Sequence, residues 1–237
     1  MAHFRIAEQL LKHLPDVDAR AFILGNVAPD SGRPNADWTV FEPPKTVTHF
    51  LNAGEDEGRI RDVQFWREYV RPADRHTRSF MLGYFTHLVA DNLWMHLIGE
   101  PAKKVFAAEF SVDRAAAWDR VKDDWYGLDF KYLRDNPDNV FTRHVAGTLN
   151  PPSPLPFLSS EGLAESLDSK RTFYASGNDM VLDRPYPYLS EASMNRVVED
   201  STEIIAALLA QLGMGDVPEN ENISLHILDL PAPYALP

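Results

Sequence analysis

The chain is predicted to fold as an all-α protein, a single helical domain over residues 1–237. Apolar residues recur three and four apart through most of its length, capping residues stand ahead of those runs, and proline or glycine follows them. No internal repeat is present. Only residues 223–230 (Ile-Ser-Leu-His-Ile-Leu-Asp-Leu) alternate weakly enough to suggest a terminal strand.

Ile6, Leu10, Leu11 and Leu14 share one face of an opening helix that Pro15 ends. Asp18 can cap a short apolar helix through Phe22, Ile23 and Leu24, closed by Gly25. Residues 26–48 are rich in Pro, Gly, Asn and Asp, and an ordered loop of that length in a compact domain is usually functional. Ile60, Val63, Trp66 and Val70 mark the next helix, which Pro72 stops. Asp74 or Thr77 can cap a longer one reaching about Ile98. Behind Ser111, the residues Trp118, Val121, Trp125, Leu128 and Tyr132 form an apolar helical stripe. Residues 150–157 read as a rigid, Pro-rich connector, and 151–190 as a loop-rich arm or lid. Ser190 opens the last long helix, with Met194, Val198, Ile205, Leu208 and Leu209 inward and Gly213 at its end.

Composition narrows the chemistry. Apolar residues make up 44% and charged residues 24%, a balance that argues against global disorder. Twenty-three Lys and Arg against 35 Asp and Glu give a formal charge of −12. That balance disfavours non-specific attraction to nucleic acid, and no nucleic-acid-binding patch is evident, although a locally basic or metal-loaded site could still hold phosphate. With no cysteine, disulfides, zinc fingers and thiol nucleophiles are excluded, so any metal must sit on carboxylates and the eight His. No run approaches the ~18 apolar residues of a transmembrane segment. The first residues carry charges where a signal peptide needs an apolar run, so a cytoplasmic location is expected. A Gly-x-Ser-x-Gly elbow, a Gly-Lys-Ser/Thr phosphate loop, a Rossmann fingerprint and a consecutive His-Asp pair are all missing.

The most informative segment runs from Phe80 to His96. His87 and Asp91 stand four apart, so a helix projects both from one face about one turn apart. Helices deliver two ligands to one cation in this way. The alternative is a His–Asp hydrogen bond inside the core. Upstream, Asp30 follows Pro29 just past a helix end, where an Asx turn is the plainer role. Thr48-His49-Phe50 supplies another imidazole as the loop closes, which alone reads as a satisfied, half-buried histidine. His3 heads the first helix.

Taken together and in order, Ala2-His3-Phe4, Gly25 to Asp30, Thr48-His49-Phe50 and the helix from Gly83 through His87 to Asp91 resemble the zinc-dependent phospholipase C family. That family is distantly similar to the fungal zinc nucleases. The resemblance runs over roughly the first 110 residues and implies zinc ions at the mouth of a helical bundle. By analogy, Asp30, His49, His87 and Asp91 hold one ion, and Asp91 bridges to a second ion also held by His3. One or two zinc ions are expected, and another divalent transition metal would suit the same ligands. In the family a free, processed N-terminal tryptophan completes the second ion's shell; here Met1 lies two residues ahead of His3. The third family ion would need His96, Val105 and Glu109. Valine cannot ligate, and in a straight helix His96 points about 140° from Asp91, so that site is expected to be degraded or absent.

Asp129 falls inside the apolar stripe of Trp118 and needs a partner: a metal, a metal-bound imidazole's free N–H, or an arginine. His144 and His226 lack partner spacing, and His76 sits in a charged run with Asp74, Arg75 and Arg78. The resemblance implies a zinc-dependent phosphoric-ester hydrolase acting on a phospholipid or another small phosphodiester. Asp30 would ligate or orient water as general base, with Trp38 and Phe41 shaping the entrance. A non-catalytic metal-binding or structural protein on the same scaffold is the alternative.

Overall fold

The computed structural model describes residues 1–36, 39–55, 59–215, 217, 222, 231–234 and 236, without the side chains of Asn178 and Asp179. The expected strand at 223–230, with His226, and the entrance residue Trp38 lie outside the described residues.

The fold is all-α. In chain order the helices are α1 (Ala2–Leu10), α2 (Ala19–Val27), α3 (Lys45–Thr48), α4 (Asp62–Phe65), α5 (Arg78–Trp94), α6 (Glu100–Val105), α7 (Ala107–Val112), α8 (Arg114–Asp135), α9 (Ser160–Ala175) and α10 (Glu191–Gly213). A 3-10 turn, Ala28–Asp30, follows α2. The sole sheet among the described residues pairs β1 (Arg33–Pro34) antiparallel with β2 (Phe41–Glu42), Arg33 opposite Glu42. None of the described helices is long and apolar enough to cross a membrane.

Helix α5 is the axis of the molecule. From Phe80 to Ala90 every side chain is buried, so the helix is apolar all round and must be enclosed by others. Its main neighbour is α2. The two cross so closely that a Cβ at Gly25 would collide with the Phe80 carbonyl, and one at Gly83 with the Phe22 carbonyl. Gly25 therefore does not close α2, as its sequence position suggested; the helix continues to Val27 because this glycine serves the crossing instead. Asp18 caps α2 as expected, accepting from the Ala21 amide at 2.7 Å.

Four further sequence expectations are corrected. The opening helix ends at Leu10, short of Leu14. The helix carrying the tryptophans is capped by Asp113, which accepts from the Ala116 amide, rather than by Ser111. The run from Arg78 does not continue straight to Ile98, because residues Met95–Gly99 form a π turn. Pro101 gives the physical reason: it has no N–H for the Leu97 carbonyl and its ring crowds that oxygen, so the chain widens ahead of it. Finally, the stretch expected to be loop-rich holds α9. Ser159 caps it at the Gly162 amide, 2.9 Å away, but only Gly162, Leu163 and Leu167 are fully buried, too sparse a pattern to read.

The crossing yields a prediction. Gly83→Ala should destabilise the fold by about 1–3 kcal/mol through overpacking, read as a drop in thermal midpoint. Gly213→Ala, with nothing near its added methyl, should be neutral or stabilise by up to ~1 kcal/mol.

Candidate metal centre

Four separate segments deliver histidines and carboxylates to one point. Helix α5 contributes His87 and Asp91, with His87 Nε2 lying 3.3 Å from Asp91 Oδ2. The glycine crossing brings the end of α2 over this turn, and the Asn26 carbonyl accepts a hydrogen bond from His87 Nδ1 at 2.8 Å. A carbonyl can only accept, so Nδ1 carries the proton and the neutral ring presents a lone pair at Nε2. The Asn26 side chain is itself tied to Thr86 Oγ1 at 3.0 Å.

The 3-10 turn after α2 brings Asp30, whose side chain stays 41% exposed and lies 3.5 Å from His49 Nε2. Two groups of α9 hold the Asp30 carbonyl from behind: Ser166 Oγ donates at 3.1 Å and Lys170 Nζ at 3.2 Å. His49 sits at the end of α3. Its Nδ1 meets Thr48 Oγ1 at 2.9 Å, and the Tyr84 hydroxyl donates to the Thr48 carbonyl. The next residue, Phe50, has φ +53°, in the left-handed region. There the chain reverses, and the Leu51 amide bonds back to the Thr46 carbonyl. Such a conformation costs a non-glycine residue of order 1–3 kcal/mol. It persists because Phe50 is wedged against Phe65, Tyr69 and Phe157.

Helix α1 supplies His3. Its Nε2 lies 3.1 Å from Asp91 Oδ1, and its ring stacks on His87 with centroids 4.1 Å apart. Asp91 thus faces His3 with one oxygen and both His49 and His87 with the other. Two overlapping sets of donors result, His3–His87–Asp91 and Asp30–His49–His87, each with ligand atoms within 4.8 Å of one another.

The electrostatics match a cation cage. Burial pushes Asp91 up, but the His87 and His3 imidazoles outweigh it and hold the carboxyl well below its ordinary value. Burial likewise raises Asp30, yet the facing imidazoles of His49 and His87 bring it well below its ordinary value. Burial lowers His87, which Asp91 and Asp30 more than offset, whereas His3 is pushed down by burial and by His87. Burial also lowers Lys170, against the pull of Asp30.

Zinc fits these residues. His49 and His87 are 1% and 2% exposed at the side chain, and the Nε2 atom of each is buried without a hydrogen-bond partner. A buried, unsatisfied ring nitrogen costs about 1–3 kcal/mol, and here both face carboxylates across a gap. Imidazole nitrogen and carboxylate oxygen are the donors zinc takes when no thiolate is present.

The other sequence candidates are placed elsewhere. Asp129 has a partner that the sequence did not suggest: the Met1 amine donates to it at 2.9 Å, and that amine also donates to the Tyr174 hydroxyl. His96 Nε2 faces the Pro231 carbonyl at 3.3 Å. Glu109 is engaged by Arg120 at 2.8 Å and by the Tyr188 hydroxyl. Val105 is 51% exposed. None of these joins either donor set.

The centre opens on a cavity of about 600 Å³. His3, Asp30 and Asp91 lie in its wall, together with tryptophans of α5 and α8. Sequence reading assigned Trp118 and Trp125 to a core stripe, but both line this cavity, and it is Val121 and Leu128 that are buried. Lys170, Ser166 and Tyr174 also escaped notice because α9 itself did.

Helical scaffold and His/Asp cage together define a helical protein built to hold a divalent cation. A family model described as zinc dependent phospholipase C matches residues 2–146, and the chain belongs to that family. No curated protein and no solved structure matches it. The match ends before α9 and α10, so the clamp on the Asp30 carbonyl and the Tyr174 contact come from beyond it.

Two outcomes test this centre. His87→Ala should weaken zinc binding by more than the ~10–100-fold typical of losing a ligand's outer support, whereas His96→Ala should leave metal content nearly unchanged, both read by elemental analysis. Chelation should lower the thermal midpoint by about 5–10 °C, reversed by zinc, if zinc stands near 100 times its Kd.

Proposed function

We infer that the chain hydrolyses phosphoric esters, with a phospholipid or another small phosphodiester as substrate. The observation that carries this reading is the pair of buried Nε2 atoms on His49 and His87, set against Asp30 and Asp91 at the floor of an open cavity. Asp30, His49, His87 and Asp91 would hold one zinc ion, and Asp91 with His3 would hold a second. When bound, zinc supplies Lewis acidity, neutralising phosphate charge and lowering the pKa of water toward about 7.

The remaining steps belong to the chain. His87 is fixed in one tautomer by Asn26, and His49 is braced by Thr48, so neither ring rotates away from the reacting phosphate. Of the two floor carboxylates Asp30 is the more open, 41% exposed against 13% for Asp91, and it is ionised because its neighbours depress it. It orients the attacking water and accepts its proton, with the grip of Ser166 and Lys170 fixing its backbone. Oxygen from water forms the new bond to phosphorus while the bond to the alkoxide breaks in line. The alkoxide takes its proton from solvent filling the cavity.

One observation favours a second reading, a non-catalytic metal-binding protein on the same scaffold. The positions matching the family's third ion, His96, Val105 and Glu109, are engaged elsewhere or lack a ligand atom. Hydrolysis of bis(4-nitrophenyl) phosphate separates the two. The hydrolase reading expects turnover that a chelator abolishes and zinc restores, and a loss of at least ~100-fold in Asp30→Asn assayed at saturating zinc. Zinc-loaded protein without turnover would establish the binding protein instead.

A further inference from the structure

The wall of the cavity changes character away from the metal centre. Trp94 follows Asp91 by three residues on α5, about 60° round the helix and about 4.5 Å along it, and lines the same space. On α8, Trp118, Lys122, Trp125 and Asp129 lie within about 60° of one another, and all four line the cavity. The Trp94 and Trp125 rings meet edge to face with centroids 4.6 Å apart, and Trp125 meets Trp118 at 6.0 Å. Indoles therefore run in contact from the turn after Asp91 outward along α8.

What Trp94 and Trp125 show the cavity is carbon. Both indole N–H groups are buried, with no hydrogen-bond partner among the described residues, so neither is open to an occupant. Leu51, Met95 and Met194 continue the wall, at 7%, 8% and 3% exposure. Thioether side chains adapt their shape to an apolar neighbour. Asp129, the carboxylate on this face of α8, is held by the Met1 amine. Lys122 stands among the tryptophans, and a lysine lays its methylene stem along apolar surface with its charge in water.

Ring geometry selects among apolar occupants. Sandwiching a flat base needs parallel rings, but Trp94 and Trp125 stand at 89°, and Trp118 and Trp125 at 61°. Rings so inclined leave a ridged groove rather than a slot, and a hydrocarbon chain follows such a groove by rotating about its own bonds. A cavity of about 600 Å³ is of the size that encloses a single small ligand, which suits one chain rather than a pair.

Resting on the hydrolase reading, we propose that the substrate is a phosphoric ester carrying one unbranched hydrocarbon chain, and that this chain lies inside the protein along Trp94, Trp125 and Trp118. The phosphate sits at the His/Asp end. The hydrocarbon leaves water for the indole and thioether wall, and that transfer supplies the affinity.

Calorimetric titration of the zinc-loaded full chain with butyl-, hexyl- and octylphosphonate tests this, because the carbon–phosphorus bond of these probes resists hydrolysis. Full burial of a methylene is worth about fourfold in affinity, so a rise of at least about twofold per added carbon is expected. The heat-capacity change of binding should become more negative along the series. Trp118→Ala should flatten the rise while leaving butylphosphonate within about threefold of its original affinity. Trp125→Ala is the second variant and should flatten it too, with zinc content and thermal midpoint as the checks on folding. No binding, equal affinity for the three probes, or a rise that survives both substitutions would overturn the proposal. So would tighter binding of phenylphosphonate than of hexylphosphonate, since the same number of carbons held flat would then be preferred to a chain. A chain-length rise without turnover of bis(4-nitrophenyl) phosphate would sink the hydrolase reading and leave the hydrocarbon seat standing; turnover without the rise would sink the seat alone.

Discussion

Two imidazoles buried beside two carboxylates set the terms for the rest of this molecule. His49 and His87 are almost fully enclosed, and each offers its Nε2 to carboxylate oxygens 3.3–3.9 Å away with no hydrogen bond formed. Removing charges from water is costly unless they are paired and their lone pairs satisfied. A divalent cation satisfies all of these atoms at once, which a proton on one ring does not. The cage is therefore held open at its centre by its surroundings, and the fold can be understood as the means of doing so.

That holding begins with two glycines. Because Gly25 and Gly83 let α2 and α5 approach at backbone distance, the Asn26 carbonyl reaches His87 and the 3-10 turn carries Asp30 over the same helix face. A left-handed Phe50, locked by aromatic neighbours, turns His49 inward. Helix α9 then grips the Asp30 carbonyl from outside. These supports act separately on His87, Asp30 and His49.

Much of this was legible in the sequence, and the parts that were not have physical reasons. The i, i+4 spacing of His87 and Asp91 on an apolar helix is a local property, and so is the cap at Asp18. The order of His3, Asp30 and His49 around them carried the family resemblance. Gly25 was misread because a glycine at a helix crossing and one at a helix end look alike without the partner helix. The π turn at Met95–Gly99 depends on one proline two residues beyond it. Helix α9 buries too few apolar residues to show a period. On α8, the tryptophans obey the helical spacing of a core stripe, and only tertiary structure reveals that they face a cavity beside Arg114 and Lys122. Asp129 was flagged as needing a partner, but a chain terminus distant in sequence could not be foreseen.

The account stands on one physical statement: a metal ion belongs between the facing atoms of His3, Asp30, His49, His87 and Asp91. Anomalous diffraction from crystals of the zinc-loaded protein, collected on both sides of the zinc edge, tests it directly. A peak bounded by the Nε2 atoms of His49 and His87 and by oxygens of Asp30 and Asp91 is the predicted result. Well-ordered zinc-loaded crystals with that space empty, or with zinc bound only at other histidines, would contradict it.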